Sequence, residues 1–269
     1  MSKMYSCEYK VGVDGSNPSG STFLMEKFLY QDLYKQEDRH WWHLAKRAVY
    51  LALIAKYLKV KNPRILDLGC GAGKNIEVLS KLGEAWGVDI SKEAIDFCKK
   101  RGIKNVKLGS AYKTGFGKGY FDLVTLLDVL EHTDEGKTLG EINRILAEDG
   151  LLVINVPAFA WLWSKWDEIL HHERRYTKQT LEKALAKAGF RVLKISYMFS
   201  FLVGPVLLFR FIKSRFSKGG YSSDFDYSNG IINKLMFLAS GIERGIMMLV
   251  TIPFGTSLIC VAQKVKTTK

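Results

Sequence analysis

"RILDLGCGAGKN", residues 64–75, carries an apolar run of strand length into three alternating glycines and then into a helix-forming stretch. A turn nearly free of side chains, set between a strand and a helix, lets backbone come close to a ligand. The first N–H groups of the helix add a partial positive charge there. Similar apolar runs recur at 84–89 (EAWGVD), 105–108 (NVKL), 121–127 (FDLVTLL) and 151–156 (LLVINV). Amphipathic stretches between and after them predict helices over 74–82, 92–101, 136–148 and 178–188. Continuous apolar strands alternating with helices predict an α/β fold, with a parallel sheet covered on both faces. Ligands of such sheets bind beyond the carboxyl ends of the strands, beside the first one.

The acid of "WGVDIS", Asp89, follows Gly69 by 20 positions (89 − 69), the spacing of a carboxylate that grips ribose hydroxyls. The glycine pattern is G-x-G-x-G, with Asp67 two residues before it. An acid at that strand end suits a pyrophosphate poorly. It suits a ligand bearing an ammonium and a sulfonium well.

With "ILDLGCGAGKN", "WGVDIS", "LGSAYKTGF" (108–116), "FDLVTLLDVLEHTDE" (121–135) and "GLLVINVP" (150–157) in order, the chain resembles the class I S-adenosylmethionine-dependent methyltransferases over about residues 64–196, in their small-molecule and quinone-type branch. The resemblance implies a Rossmann-like seven-stranded sheet with helices on both faces and an antiparallel last strand. It implies S-adenosyl-L-methionine as cofactor, with Gly69, Gly71 and Gly73 under the methionine portion and Asp67 facing its ammonium. Asp89 would take the ribose, Ile90 the adenine face, Ser110 and Ala111 the adenine edge, and Asp128 the wall near the methyl group. The family often has an acid at the Ser110–Ala111 position, and here it is missing.

Methyl transfer from a sulfonium is an in-line displacement whose reactivity the cofactor carries. The protein must align the nucleophile at about 3–3.5 Å and exclude water, and supplies a base only if the acceptor loses a proton early. His132, beside Glu131, is the candidate catalytic base; the alternative is that it orders the loop. Some quinone-pathway O-methyltransferases of this fold hold a divalent metal through E-x-x-E-H. This chain reads Asp128-Val129-Leu130-Glu131-His132, with Asp for the first Glu, and no metal is expected. Amino methylation of DNA bases is excluded, since no N-P-P-Y or D-P-P-Y follows the fourth strand, and no cysteine stands there for cytosine C5 chemistry.

Two later strands, 190–196 (FRVLKIS) and 257–264 (SLICVAQK), enclose an insertion far too long for a hairpin. The expected organisation is a disordered tail over 1–24, with Met25 as a candidate start of the chain, and an N-terminal helical cap over 25–63. The core follows over 64–196 and 255–266, with a lid over 157–177, and an apolar helical insertion over 197–254. The lid gathers Trp161, Trp163, Trp166, His171, His172, Arg174, Arg175 and Tyr176; "HWWHLAKR" (40–47) is placed to close the cleft from the other side, with Arg47 toward the cofactor carboxylate.

The 269 residues carry a formal charge of +13, which favours anionic partners without choosing among them. Cys7, Cys70, Cys98 and Cys260 have neither zinc-ligand nor disulfide-framework spacing, and a reducing cytoplasmic location is expected. The run 197–212 is interrupted by Gly-Pro and shorter than the about 20 apolar residues that span a bilayer. Beyond it come Arg210, Lys213, Arg215, Lys218 and an amphipathic stretch over 231–250. That combination suits either added core or peripheral docking on an anionic membrane surface. The leading expectation is methyl transfer to a lipid-like, quinone-like or other small amphiphilic acceptor. An RNA methyltransferase is the alternative, although no RNA-binding module is visible, and a non-catalytic cofactor-binding scaffold comes third. The oligomeric state is left open.

Overall fold

A computed structural model describes residues 27–208 and 230–266. The expected tail over 1–24, Met25, Cys7 and the basic cluster Arg210, Lys213, Arg215 and Lys218 lie outside the described residues. Seven strands form one sheet in the order β3-β2-β1-β4-β5-β7-β6. They are β1 (Arg64–Leu68), β2 (Glu84–Asp89), β3 (Val106–Leu108), β4 (Phe121–Leu127), β5 (Leu146–Pro157), β6 (Phe190–Met198) and β7 (Ser257–Lys264). The first five pair in parallel, and β7 runs antiparallel to both β5 and β6. Strand order reverses beside β1, which places the ligand crevice over the glycine turn.

Successive side chains of a strand point to opposite faces, and the core divides accordingly. Leu66, Val124 and Leu152 pack on one face with α5 (Glu135–Ile145) and α7 (Lys178–Lys187). Ile65, Leu123 and Val153 pack on the other with α2 (Trp41–Tyr57), α3 (Lys74–Leu79) and α4 (Lys92–Lys100). Each such side chain, withdrawn from water, contributes about 1.5–3 kcal/mol.

Several boundaries differ from the sequence pattern. The N-terminal helical cap read over 25–63 holds two helices, α1 (Lys27–Gln36) and α2. Between them Glu37 turns inward to Arg101 at 2.5 Å, and His40 caps α2 by accepting from the Trp42 N–H at 3.3 Å. α3 stops at Leu79 rather than 82, ahead of Gly83, where a Cβ would stand 2.1 Å from the Pro63 carbonyl. α5 ends at Ile145 rather than 148, because Leu146 is fully buried and pairs with Phe121. β6 runs on to Met198, where Met198 pairs with Ser257.

In the insertion, a 3-10 turn (Ser200–Leu202) leads into helix over 203–208, and α8 (Gly230–Leu249) is a separate helix laid on α2. Asn233 accepts from the Trp41 N–H at 2.7 Å and donates to the Arg39 carbonyl at 2.9 Å. Trp42 stacks on Phe199 with ring centroids 4.3 Å apart. Among the described residues no helix is long and apolar enough to cross a membrane. A short helix between β5 and α7 is α6 (Lys165–Ile169).

Candidate functional site

The glycine turn after β1 is shaped by backbone first. Gly69 has φ +77°, and a Cβ there would lie 2.3 Å from Val129 Cγ2. Gly71 has φ +52° with Leu33 Cδ2 at 3.1 Å from its ideal Cβ. Both conformations favour glycine, so the turn's sequence serves its own geometry as well as any ligand above it. Gly73 is the N-cap of α3.

Above the turn lies a cleft of about 330 Å³, lined by Gly69, Gly71, Asp89, Ile90, Asp128 and His132. Ser110 and Ala111 close one side of it. Asp67 and Gly73 are not on its wall; Asp67 is buried beneath, 1% exposed. The Asp89 carboxylate accepts from the Gly71 N–H and the Ser91 N–H, each at 2.9 Å. Burial raises its pKa, and those N–H bonds oppose the rise. A carboxylate has about four acceptor sites, so capacity remains for two hydroxyls. Ile90 is 40% exposed at this edge, a flat apolar surface suited to a heterocycle.

The Asp67 carboxylate accepts from Thr125 Oγ1 at 2.7 Å through Oδ1. Its Oδ2 is buried with no hydrogen-bond partner among the described residues, although Asn75 stands near. Burial pushes this carboxyl up to about 7, against the Thr125 hydrogen bond. A buried acceptor left without a donor is costly, and a cationic ligand group would relieve it. The residues present therefore fit a ligand with an ammonium, a ribose and an adenine.

The opposite wall comes from α2, which supplies His43, Lys46 and Arg47. Burial, with Lys46 beside it, pushes His43 down to about 3, so its imidazole is neutral. Arg47 does not stand free: it donates to the Glu37 carbonyl and to Asn75 Oδ1. Asp128 has φ +57°, a left-handed conformation that costs a non-glycine residue about 1 kcal/mol or more. Lys46 at 2.6 Å and Asn155 hold its carboxylate there.

His132 follows in a 3-10 turn, with Nδ1 3.3 Å from the His171 carbonyl. Burial and His172 push its pKa down to about 4. From the stretch read as a lid, Leu170 and His172 reach the cleft, whereas Trp161, Trp163 and Trp166 are not among its lining residues. The residue that organises this stretch is one the sequence pattern passed over. Asp167 accepts from Arg175 Nε at 2.7 Å and Nη2 at 2.9 Å, from Ser164 N at 2.7 Å, and pairs with His172 Nδ1 at 2.8 Å. Its offsets of five to His172 and eight to Arg175 were the available signal. Lys46, Asn75 and Asn155 carried no signal of their own.

A methyltransferase-domain family profile matches residues 66–154. An uncharacterised protein of Methanocaldococcus jannaschii is 30% identical over 131 residues, 48% of this chain and 51% of that protein. A ubiquinone biosynthesis O-methyltransferase of Pelagibacter ubique is 31% identical over 102 residues, 35% of this chain and 42% of that one. The chain thus spans about half, or less, of the length of these curated relatives. An Archaeoglobus fulgidus S-adenosylmethionine-dependent methyltransferase has a similar structure, with TM-score 0.54 and 20% identity over 88% of this chain and 99% of that chain. With the strand order, the cleft and the matched profile in agreement, residues 66–154 are a methyltransferase domain on the fold of the S-adenosylmethionine-dependent methyltransferases, and S-adenosylmethionine is the cofactor that this domain takes.

Proposed function

We propose that the chain transfers a methyl group to an amphiphilic acceptor, lipid-like or quinone-like, and that its insertion docks on an anionic membrane surface. The observation that carries this reading is α8. Leu235, Leu238, Ile242, Ile246 and Leu249 recur at helical spacing and are 49–85% exposed. The same helix packs against α2, which lines the cleft. An acceptor partitioned into an apolar phase would therefore meet the protein beside its cofactor. The ubiquinone-pathway relative agrees with that acceptor class.

Asp67 takes the cofactor's ammonium, Asp89 its ribose and Ile90 its adenine face, with Ser110 and Ala111 at the adenine edge. Gly69, Gly71 and Gly73 shape the floor under the methionine portion, and Asp128 borders the reacting end. Bound there, the cofactor supplies an activated methyl group on a sulfonium. The chain's task is to orient the acceptor in line and to exclude water.

Incubation with methyl-labelled cofactor and fractionated cell extract should place label in the lipid and quinone fraction. The protein should also sediment with anionic vesicles, and Leu238→Lys with Ile242→Lys should release it. Label in RNA or protein, or wild type left in the supernatant, would overturn the reading.

Asp67 adds a pH signature. S-adenosylhomocysteine, through the same ammonium, should bind up to about tenfold more tightly per pH unit as pH rises toward about 7, then level off. Without ligand the sign reverses. The folded chain holds the Asp67 proton more tightly than the unfolded one, so this group's contribution to stability is full below about 4 and lost as pH rises through about 7. Calorimetry across that range checks both, and Asp67→Asn should flatten the affinity profile.

A further inference from the structure

The segment between β5 and α7 brings an acid–imidazole pair to the cleft. His172 Nδ1 lies 2.8 Å from Asp167 Oδ1. Asp167 is 1% exposed and off the cleft wall, whereas His172 is on that wall with its side chain 9% exposed. Burial alone would raise the Asp167 carboxyl, but the hydrogen bonds from His172 and Arg175 outweigh it and hold the group well below the usual carboxylate range. It is therefore ionised, and a carboxylate only accepts, so His172 donates from Nδ1. The neutral ring then carries its lone pair on Nε2. Among the described residues no hydrogen bond engages that nitrogen.

We propose that His172, oriented by Asp167, is the base that takes a proton from the acceptor during methyl transfer, so that the acceptor presents a hydroxyl or an N–H to the cleft. This role rests on methyl transfer as the reaction, not on membrane docking or an apolar acceptor. The acceptor's proton passes to Nε2, its oxygen or nitrogen bonds to the methyl carbon, and the electron pair of the broken carbon–sulfur bond stays on sulfur. The imidazolium lies against the Asp167 carboxylate, an anion placed to offset the new charge, and returns its proton to water from the cleft. Arg175 holds both Asp167 oxygens, at 2.7 and 2.9 Å. Asp167 is thus the positioning residue and His172 the catalytic one.

His132 is the other imidazole of this pair of rings, which meet edge to face with centroids 4.7 Å apart. Its Nδ1 has only the His171 carbonyl, at 3.3 Å, a dipole rather than an anion. Burial, with His172 beside it, pushes His132 down to about 4. A positive charge forming on His132 meets no carboxylate at hydrogen-bond distance, whereas one forming on His172 does. Glu131 faces both rings, within 4.8 Å of their donor atoms. Burial, reinforced by Asp128, raises its carboxyl well above the usual range, so Glu131 stands there as a neutral acid and adds no charge. The candidate base therefore moves from His132 to His172.

The test uses the full chain. Methyl-label transfer is read in whichever fraction of a cell extract takes label, so the acceptor class can fail while the base stands. At saturating cofactor His172→Ala should lower the rate about 10²-fold or more, with the circular dichroism spectrum and S-adenosylhomocysteine affinity unchanged. Added imidazole should restore part of the rate. Without cofactor or acceptor, nitrogen-15 NMR of the rings above neutral pH should place the His172 proton on Nδ1. Asp167→Asn, whose amide donates, should move that proton to Nε2 and slow transfer comparably. Wild-type transfer rates in folded His172→Ala would overturn the role, as would a wild-type ring proton on Nε2. Label released as methanol by mild alkali would overturn it too, since it marks a carboxylate acceptor with no proton to give.

Discussion

Asp89→Ala is expected to weaken S-adenosylhomocysteine binding by about 1.5–3 kcal/mol, the range for hydrogen bonds to a charged group, or about 10- to 150-fold in Kd. The same carboxylate holds the Gly71 and Ser91 N–H groups, so part of the loss comes from a loosened turn. Calorimetry gives the affinity, and thermal melting of the unliganded protein separates the two contributions. If affinity is unchanged, the ribose lies elsewhere. Tight binding of NAD would contradict the cofactor itself.

A second large effect is expected away from the cofactor, at Asp167. This carboxylate is 1% exposed and is met by Arg175, His172 and Ser164. Removing one partner of a buried ion pair costs about 3–5 kcal/mol, because the other charge stays behind. Asp167→Ala should therefore lower the urea unfolding free energy by that amount, while Lys266→Ala, on an exposed pair with Asp149, should change it little. Against the upward push of burial, His172 and Arg175 hold the Asp167 carboxyl well below the usual carboxylate range. Its contribution is present above about pH 4 and is lost as pH falls through the folded pKa. The gap between variant and wild type should narrow in acid. An Asp167→Ala protein as stable as wild type would show that Arg175 and His172 find other partners.

Much of the frame was legible in the sequence because the signal was local. β1, β2, β4 and β7 are short, mostly apolar runs ended by glycine, aspartate or lysine, and their observed limits match the pattern residue for residue. The acidic and glycine positions of the cleft were legible for the same reason, since they close those strands. What the pattern missed depends on partners distant in the chain. The break between α1 and α2 turns on Glu37 meeting Arg101. The early start of β5 turns on Leu146 meeting Phe121, although "ILAEDG" by itself favours a longer helix. Neither Lys46 on Asp128 nor Asp167 on His172 follows from spacing alone.

The sheet's last two strands carry a consequence for how such a chain can diversify. β6 leaves the sheet at Met198, and β7 re-enters opposite it at Ser257, with the Thr256 N–H returning to the Met198 carbonyl at 2.9 Å. Everything from Phe199 to Thr256 is thus an excursion whose two ends meet as the ends of a hairpin do. Its length is uncoupled from strand register, and the entropy of closing it grows only logarithmically with the residues added. The insertion can be lengthened or trimmed at that single doorway while strands β1, β2 and β4, which carry the glycine turn and the cleft acids, keep their pairing.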